Sequence, residues 1–344
     1  MTQPNIKSLP LPKLAEIIKA AGQPAFRAKQ LFTWLYQKHV DEFEAMTDLP
    51  KGLREQLPEM FDTTACTVTH HETSEDGTVK MQFTLPDGAA VEGVLIPDLP
   101  RVTLCLSTQV GCKMGCSFCF TAGLGHGRNL ETWEIVEQYR LARQFLPKER
   151  SRITNIVMMG MGEPLDNYDA VKESIEIFTE KSGYFISPNK ITVSTVGLAP
   201  TVERFHDECS ANLAWSLNAT TDAVRNTIMP INKKYNIERM IKALQTWPPK
   251  RRKRIFLEYV LLAGINDTMD DALRLSSIAR RLGCKVNLIP YNEPDTPQFK
   301  RPAQKHIMTF EKVVYDQGVQ VTIRNSRGLD LHAACGMLGK TVSD

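Results

Sequence analysis

The sequence predicts an α/β protein built as an open, partial (β/α)6 barrel, with a small N-terminal helical domain and extra strands between the two. Three observations lead there. From residue 128 onward, short apolar runs alternate with amphipathic stretches over about 190 residues, as in a parallel sheet covered by helices. Six such units are too few to close an eight-unit barrel, so the barrel stays open. Ahead of them the periodicity is helical to residue 60, then strand-like from 65 to 106. The expected organisation is a helical accessory domain over 1–60, a β-rich connecting segment over 61–100, and a core over 101–344 that ends in a cysteine-bearing segment.

Each element has its own signal. Leu14, Ile17, Ile18 and Ala21 form a helical stripe that stops at Gly22-Gln23-Pro24. Phe26, Gln30, Leu31, Trp34 and Leu35 form a second stripe, and Thr47–Pro50 opens a third helix running through Leu57. Strands follow at Thr67–Thr69, Val79–Leu85, Ala90–Ile96 and Val102–Ser107. The Asp87-Gly88 step between two of them is a hairpin signal. The core then alternates a helix over 131–146, a strand at Ile153–Met159, a helix over 167–181 and a strand at Lys190–Ser194. A helix over 198–208, a strand at Ala211–Leu217 and a helix over 236–246 come next. Arg254–Leu262 (strand), 268–282 (helix), Lys285–Pro290 (strand), 303–317 (helix) and Val319–Ile323 (strand) complete the pattern.

Composition narrows the class. Of 344 residues, 42% are hydrophobic and 24% charged, which excludes collagen, low-complexity disorder and a small disulfide scaffold. No apolar run reaches the length of a membrane span, and Met1–Pro12 lacks a signal-peptide pattern, so a cytoplasmic protein with no membrane partner is expected. Residues 1–100 hold 9 Lys/Arg against 14 Asp/Glu, a net of −5, while the remainder carries a net of +8. A basic body permits a nucleic-acid partner without requiring one. The densest basic run, Lys250–Arg254, is either a phosphate contact or a solvated loop. Arg128, Arg324 and Arg327 are further candidates.

The sharpest motif is Cys112-Lys113-Met114-Gly115-Cys116-Ser117-Phe118-Cys119, with C-x3-C-x2-C spacing. Eight cysteines in such a chain point to metal or redox chemistry before disulfide stapling. Three thiolates suit either an iron–sulfur cluster or zinc, for which His126 would be a possible fourth ligand. Met159-Gly160-Met161-Gly162-Glu163-Pro164 follows an apolar strand, where glycines let a ligand approach the backbone and Glu163 can accept from an ammonium group. Polar residues also end later strands: Ser194, then Ser216-Leu217-Asn218, then Asn292. They are ordinary strand caps or the rim of a ligand site.

The cysteine spacing with Gly162-Glu163 resembles the radical S-adenosylmethionine (SAM) superfamily. With Thr103–Cys112, Arg128-Asn129-Leu130, Gly162–Asn167 and Ala333-Ala334-Cys335-Gly336 added, nearly the whole chain is similar to the RlmN/Cfr family of radical SAM methyltransferases acting on RNA adenosine. Arg327-Gly328 resembles the branch that methylates C2, with C8 methylation as the alternative; a non-catalytic zinc RNA-binding protein is the competing reading. His332, Met337 and Phe120 depart from the family pattern.

The resemblance implies a [4Fe–4S] cluster on Cys112, Cys116 and Cys119. It implies SAM held by Gly162, Glu163, Ser194, Ser216, Leu217, Asn218 and Asn292. Adenine C2 is too electron-poor to take a sulfonium methyl directly, so cofactor radical chemistry is needed. By resemblance Cys335 carries the methyl group and is activated by a SAM-derived radical. Cys105 then resolves a protein–RNA adduct through a disulfide with Cys335, and Glu92 is the general base. Implied partners are 23S rRNA, tRNA and an electron donor such as flavodoxin, acting on a monomer.

Overall fold

Residues 3–150, 152–248, 250, 254–294 and 297–339 are described by the computed structural model. The chain opens with α1 (Leu11–Ala20), α2 (Phe26–Thr33) and α3 (Lys51–Met60). Leu14 and Ile18 bury one face of α1, as their spacing predicts. The second stripe behaves differently at both ends. Phe26 is 57% exposed, and Trp34–Lys38 winds as a π turn instead of continuing α2. The short helix Ile6–Ser8 then pins this region to the core. Lys7, only 2% exposed, lies 3.4 Å from Asp41 and 3.3 Å from Glu137 of the helix over 132–142.

Three antiparallel strands come next: β1 (Thr67–Thr73), β2 (Val79–Thr84) and β3 (Ala90–Asp98). They continue one ten-stranded sheet through β4 (Arg101–Cys105), which pairs antiparallel with β3. A small ribbon of β5 (Gln109–Gly111) and β6 (His126–Asn129) brackets the one-turn helix α4 (Phe120–Gly123). The sequence pattern does not announce these three; four residues are too few for a stripe.

The core is the expected alternation. After β4 come α5 (Thr132–Ala142), β7 (Asn155–Met158), α6 (Tyr168–Thr179), β8 (Ile191–Thr195), α7 (Ala199–Glu208) and β9 (Asn212–Ser216). Then follow α8 (Asp222–Ile228), α9 (Ile237–Gln245), β10 (Ile255–Leu261), α10 (Met269–Leu282), β11 (Lys285–Pro290), α11 (Gln304–Asp316) and β12 (Val321–Ile323). Helix α8, seven residues long, is also missing from the sequence reading. Strands β4, β7, β8, β9, β10, β11 and β12 are parallel neighbours in that order. One face of these strands is apolar and buried, with Leu104, Ile156, Val193, Leu213, Leu257 and Val286, while the other turns Asn155, Thr192, Glu258, Asn287 and Thr322 toward an internal cavity. The sheet ends at β1 and β12 without closing, so the barrel is partial. No helix among the described residues is long and apolar enough to cross a membrane.

The segment after β12 crosses back over the open barrel. Gly328 N donates to Asp76 Oδ2 at 3.1 Å and Ser74 Oγ donates to Asp330 Oδ1 at 2.6 Å, tying the segment to the turn between β1 and β2. Further on, Phe120 N donates to Gly336 O at 2.8 Å and Thr121 Oγ1 to Leu338 O at 2.7 Å. The region of Cys335 is thereby laid across the cysteine loop.

Candidate active site

The loop between β5 and β6 carries Cys112, Cys116 and Cys119, and all three line one cavity at the C-terminal ends of the parallel strands. Its entry is tight. Gly111 has φ +72°, and a β-carbon there would lie 2.0 Å from Gly125 O, so only glycine fits. Cys112 N donates to Gly125 O at 2.7 Å, which fixes the loop across the ribbon. Burial pushes the Cys112 thiol up to about 11 and Cys116 further still, and neighbouring Cys119 charge adds to both. Thiols whose ionisation is opposed by burial and by neighbouring thiolate charge suit a cationic centre, which reverses that cost. Among the described residues no three His, Cys, Asp or Glu side chains converge as they would on a single metal ion. Each thiolate of a four-iron cluster takes its own iron, so the three need not converge on one point. His126 stands outside this cavity, on β6.

Gly162, Glu163, Ser194, Ser216, Asn218 and Asn292 line the same cavity. Gly162 has φ +101°, and a β-carbon there would lie 2.6 Å from Gln109 Cβ. Glu163 is buried; its Oε1 accepts from Leu165 N at 3.1 Å and its Oε2 from Val196 N at 2.8 Å. Burial raises its pKa to about 7 despite these bonds. A buried carboxylate at a glycine turn fits an ammonium group, which restores the ionised form. Ser194 and Ser216 approach to 3.4 Å between hydroxyls. Leu217 is not among the lining residues: its side chain is fully buried, and its carbonyl accepts from Arg225 Nε at 2.8 Å. Asn292 spends its amide on the cysteine segment, with Nδ2 donating to Cys335 O at 3.1 Å.

A second cavity, inside the barrel, shares a wall with the first. Met159, Glu258, Ile289, Asn292, Arg324 and Cys335 line both. Cys105, at the end of β4, lines only the second. Cys335 is exposed, Cys105 is buried, and both are free thiols here. Burial pushes the Cys105 thiol up to about 12, with the neighbouring Cys335 adding to the rise. Arg324 opposes this, since both sulfurs favour its charge. Arg324 therefore faces the two cysteines, while Arg128 is held by Glu134 at 2.7 Å and Arg327 pairs with Asp98 at 3.6 Å.

Glu92 is placed elsewhere. It lines neither cavity; Lys80 Nζ stands 3.0 Å from Oε1, and Gly339 N donates to Oε2 at 2.6 Å. Of the basic run, Arg251–Lys253 lie outside the described residues, Lys250 is exposed, and Arg254 Nη1 donates to Ser210 O at 2.6 Å. Two residues that sequence reasoning passed over matter here. Arg225, fully buried, donates to Val196 O at 2.6 Å and Ser216 O at 3.2 Å, so it sets the strand ends that carry the site. Glu258 is a buried carboxylate on the wall common to both cavities. A lone acidic residue inside an apolar strand was the signal for it.

Comparison with known proteins identifies the family. Residues 4–62 match the ribosomal RNA large subunit methyltransferase N-terminal domain, and residues 106–276 match the radical SAM superfamily. The chain is 44% identical to the dual-specificity RNA methyltransferase RlmN of Desulfotalea psychrophila, covering 97% of this chain and 94% of that one. It is 45% identical to the RlmN of Geotalea uraniireducens, covering 98% and 97%. The crystal structure of a radical SAM methyltransferase from Sphaerobacter thermophilus superposes with a TM-score of 0.89 at 40% identity, covering 97% of this chain and 99% of that one. The cofactors are a [4Fe–4S] cluster and SAM. With such identity from end to end, the chain belongs to the RlmN family of radical SAM RNA methyltransferases.

Proposed function

We propose that this protein methylates C2 of adenosine in 23S rRNA and in tRNA, with Cys335 as carrier of the methyl carbon and Cys105 as the resolving thiol. The observation that carries this reading is the position of Cys335 on the wall between the two cavities. One cavity holds the three cluster cysteines and the Glu163 turn, and the other holds Cys105.

Cys112, Cys116 and Cys119 would hold the cluster, and Gly162, Glu163, Ser194, Ser216 and Asn218 would hold SAM. Bound there, the two supply a methyl donor and hydrogen-abstracting radical chemistry. Cys335 retains the carbon as a sulfur–methylene bridge to the base. Cys105 attacks the Cys335 sulfur; a disulfide forms, the sulfur–carbon bond breaks, and the released methylene takes a proton to become the methyl group. A thiol reductant then returns both cysteines to the free state, and a one-electron donor such as flavodoxin supports the radical step. Glu92 is assigned as the base that removes the C2 proton, while the unpaired electron left on the adduct returns to the one-electron donor, so the bridge is closed-shell before Cys105 attacks it. To take that proton Glu92 must exchange its bonds to Lys80 and Gly339 for the substrate.

Residues 1–60 are proposed as an RNA-docking domain, 61–100 as a connector and 101–344 as the catalytic core, acting as a cytoplasmic monomer. Mass spectrometry of rRNA and tRNA from a deletion strain tests the reading. Loss of 2-methyladenosine from both, regained on complementation, is expected. Loss of 8-methyladenosine instead would overturn the C2 assignment.

A further inference from the structure

Strand β10 reads Ile255-Phe256-Leu257-Glu258-Tyr259-Val260-Leu261, one carboxylate in an apolar run. A carboxylate in such a place needs partners. Glu258 is 4% exposed, and its Oε1 accepts from Asn287 Nδ2 at 2.9 Å. Its Oε2 is buried and has no hydrogen-bond partner among the described residues. Arg324 Nη1 stands 3.7 Å from it, beyond hydrogen-bond reach. Strand register places Ser216, Glu258, Asn287 and Thr322 in one row across four strands. All four line the cavities, so the row faces the barrel interior.

An unsatisfied buried oxygen that faces a cavity calls for a donor from a ligand. Beside it Arg324 offers donors, so the wall presents an acceptor next to a donor. That pattern complements an amino group beside a ring nitrogen, as adenine presents at N6 and N7. We propose that Glu258 and Arg324 read the target adenine, Glu258 Oε2 accepting from the C6 amino group and Arg324 donating to N7. The opposite edge, N1–C2–N3, is then left unbound and open to reaction, while C8, next to N7, is turned toward the wall. The pair thus selects both the base and the carbon. The inference rests on the adenosine-methylation reading above. SAM also contains an adenine, and Ser216 at one end of the row lines only its cavity, but Asn287, which binds Glu258, and Thr322 line only the cavity that holds Cys105. The amino group is therefore assigned to the RNA base.

The test uses the full chain with its cluster reconstituted and a synthetic RNA fragment that the wild type methylates. The target nucleotide is adenosine, purine riboside (no amino group) or 7-deazaadenosine (no N7). The wild type is expected to lose roughly 10- to 100-fold in kcat/KM on either analogue. In Glu258→Ala the adenosine-to-purine ratio should fall to within about 3-fold, and Glu258→Gln, which keeps an acceptor, should retain part of it. Arg324→Met should erase the 7-deaza effect alone. Iron content, unfolding temperature and SAM affinity without RNA are measured for every variant. Equal use of adenosine and purine riboside by the wild type overturns the inference, and that comparison needs no variant. An unchanged ratio in Glu258→Ala overturns it too. Weakened SAM affinity with an unchanged ratio also overturns it and moves Glu258 to the cofactor. If the wild type forms no 2-methyladenosine at all, the adenosine-methylation reading itself fails.

Discussion

Glu163 and Arg225 hold the same residue from its two polar ends: Val196 N donates to Glu163 Oε2 at 2.8 Å, and Val196 O accepts from Arg225 Nη2 at 2.6 Å. Arg225 also binds Leu217 O, Ser216 O and the side chain of Asn232, so one guanidinium fixes the ends of two neighbouring strands. Burial lowers its pKa to about 10, which still leaves it charged at neutral pH. Arg225→Met would strand these acceptors without a donor. It should cost roughly 3–5 kcal/mol in chemical denaturation and weaken SAM binding. Arg225→Lys should recover less than half, because an ammonium cannot fork to four acceptors. Equal stability of wild type and Arg225→Met would show that the network is idle.

The Glu163 carboxyl predicts a pH effect whose sign is fixed. Burial raises its pKa from the ordinary 4.5 to about 7. Below both values it is protonated in folded and unfolded chains alike. Between them the unfolded chain ionises and the folded one resists, so stability falls as pH rises. Above about pH 7 the loss is complete, about 3 kcal/mol for a shift of this size. In cluster-free protein without SAM, the stability of Glu163→Gln relative to wild type should therefore rise by about that amount from pH 4.5 to 7.5. A pH-independent difference in urea titrations would contradict it.

Each of Cys112→Ala, Cys116→Ala and Cys119→Ala should lose most of its iron after anaerobic reconstitution, because a three-thiolate site has no spare ligand. Iron and sulfide analysis with the visible spectrum checks this. A full, stable four-iron complement in all three variants would remove the cluster assignment.

These three cysteines were legible because their grouping is local: eight residues bring them together whatever the fold. The barrel was legible because short strand-like runs with buried apolar residues alternate with helical stripes. Glu163 was legible from its place after a strand. The partners that give the site its shape were not. Glu258 joins Ser216 and Asn287 only through strand register, which no local pattern encodes. Arg225 sits on α8, whose seven residues carry too short a stripe to be read. The Glu92–Gly339 bond spans 247 residues, and nothing near Glu92 in the sequence announces it. For Leu217 the neighbours on either side face the cavity while its own side chain enters the core, as alternation along an extended segment requires.

The segment that carries Cys335 is anchored to the turn between β1 and β2. Asp76 Oδ2 accepts from Gly328 N at 3.1 Å, and Arg327 Nη1 lies 3.9 Å from the same oxygen. Burial raises the Asp76 pKa, but bonds from Thr78 and Gly328 outweigh it and hold the carboxyl below its ordinary value. Asp76→Ala should free the segment at a cost of about 1–2 kcal/mol, giving faster amide exchange over 328–339 and roughly 5- to 10-fold slower turnover. Iron content should not change. Unaltered exchange in that segment would show that the turn does not anchor it.

The central claim is that Cys335 carries the carbon and Cys105 releases it, and one denaturing gel of protein with labelled RNA tests it directly. Cys335→Ala should give neither methylated RNA nor a crosslinked band. Cys105→Ala should accumulate protein covalently bound to RNA, because no thiol displaces the methylene bridge from Cys335. The double variant should match Cys335→Ala, since the adduct must form before it can be resolved. Normal turnover by Cys105→Ala with no crosslinked species would contradict the account.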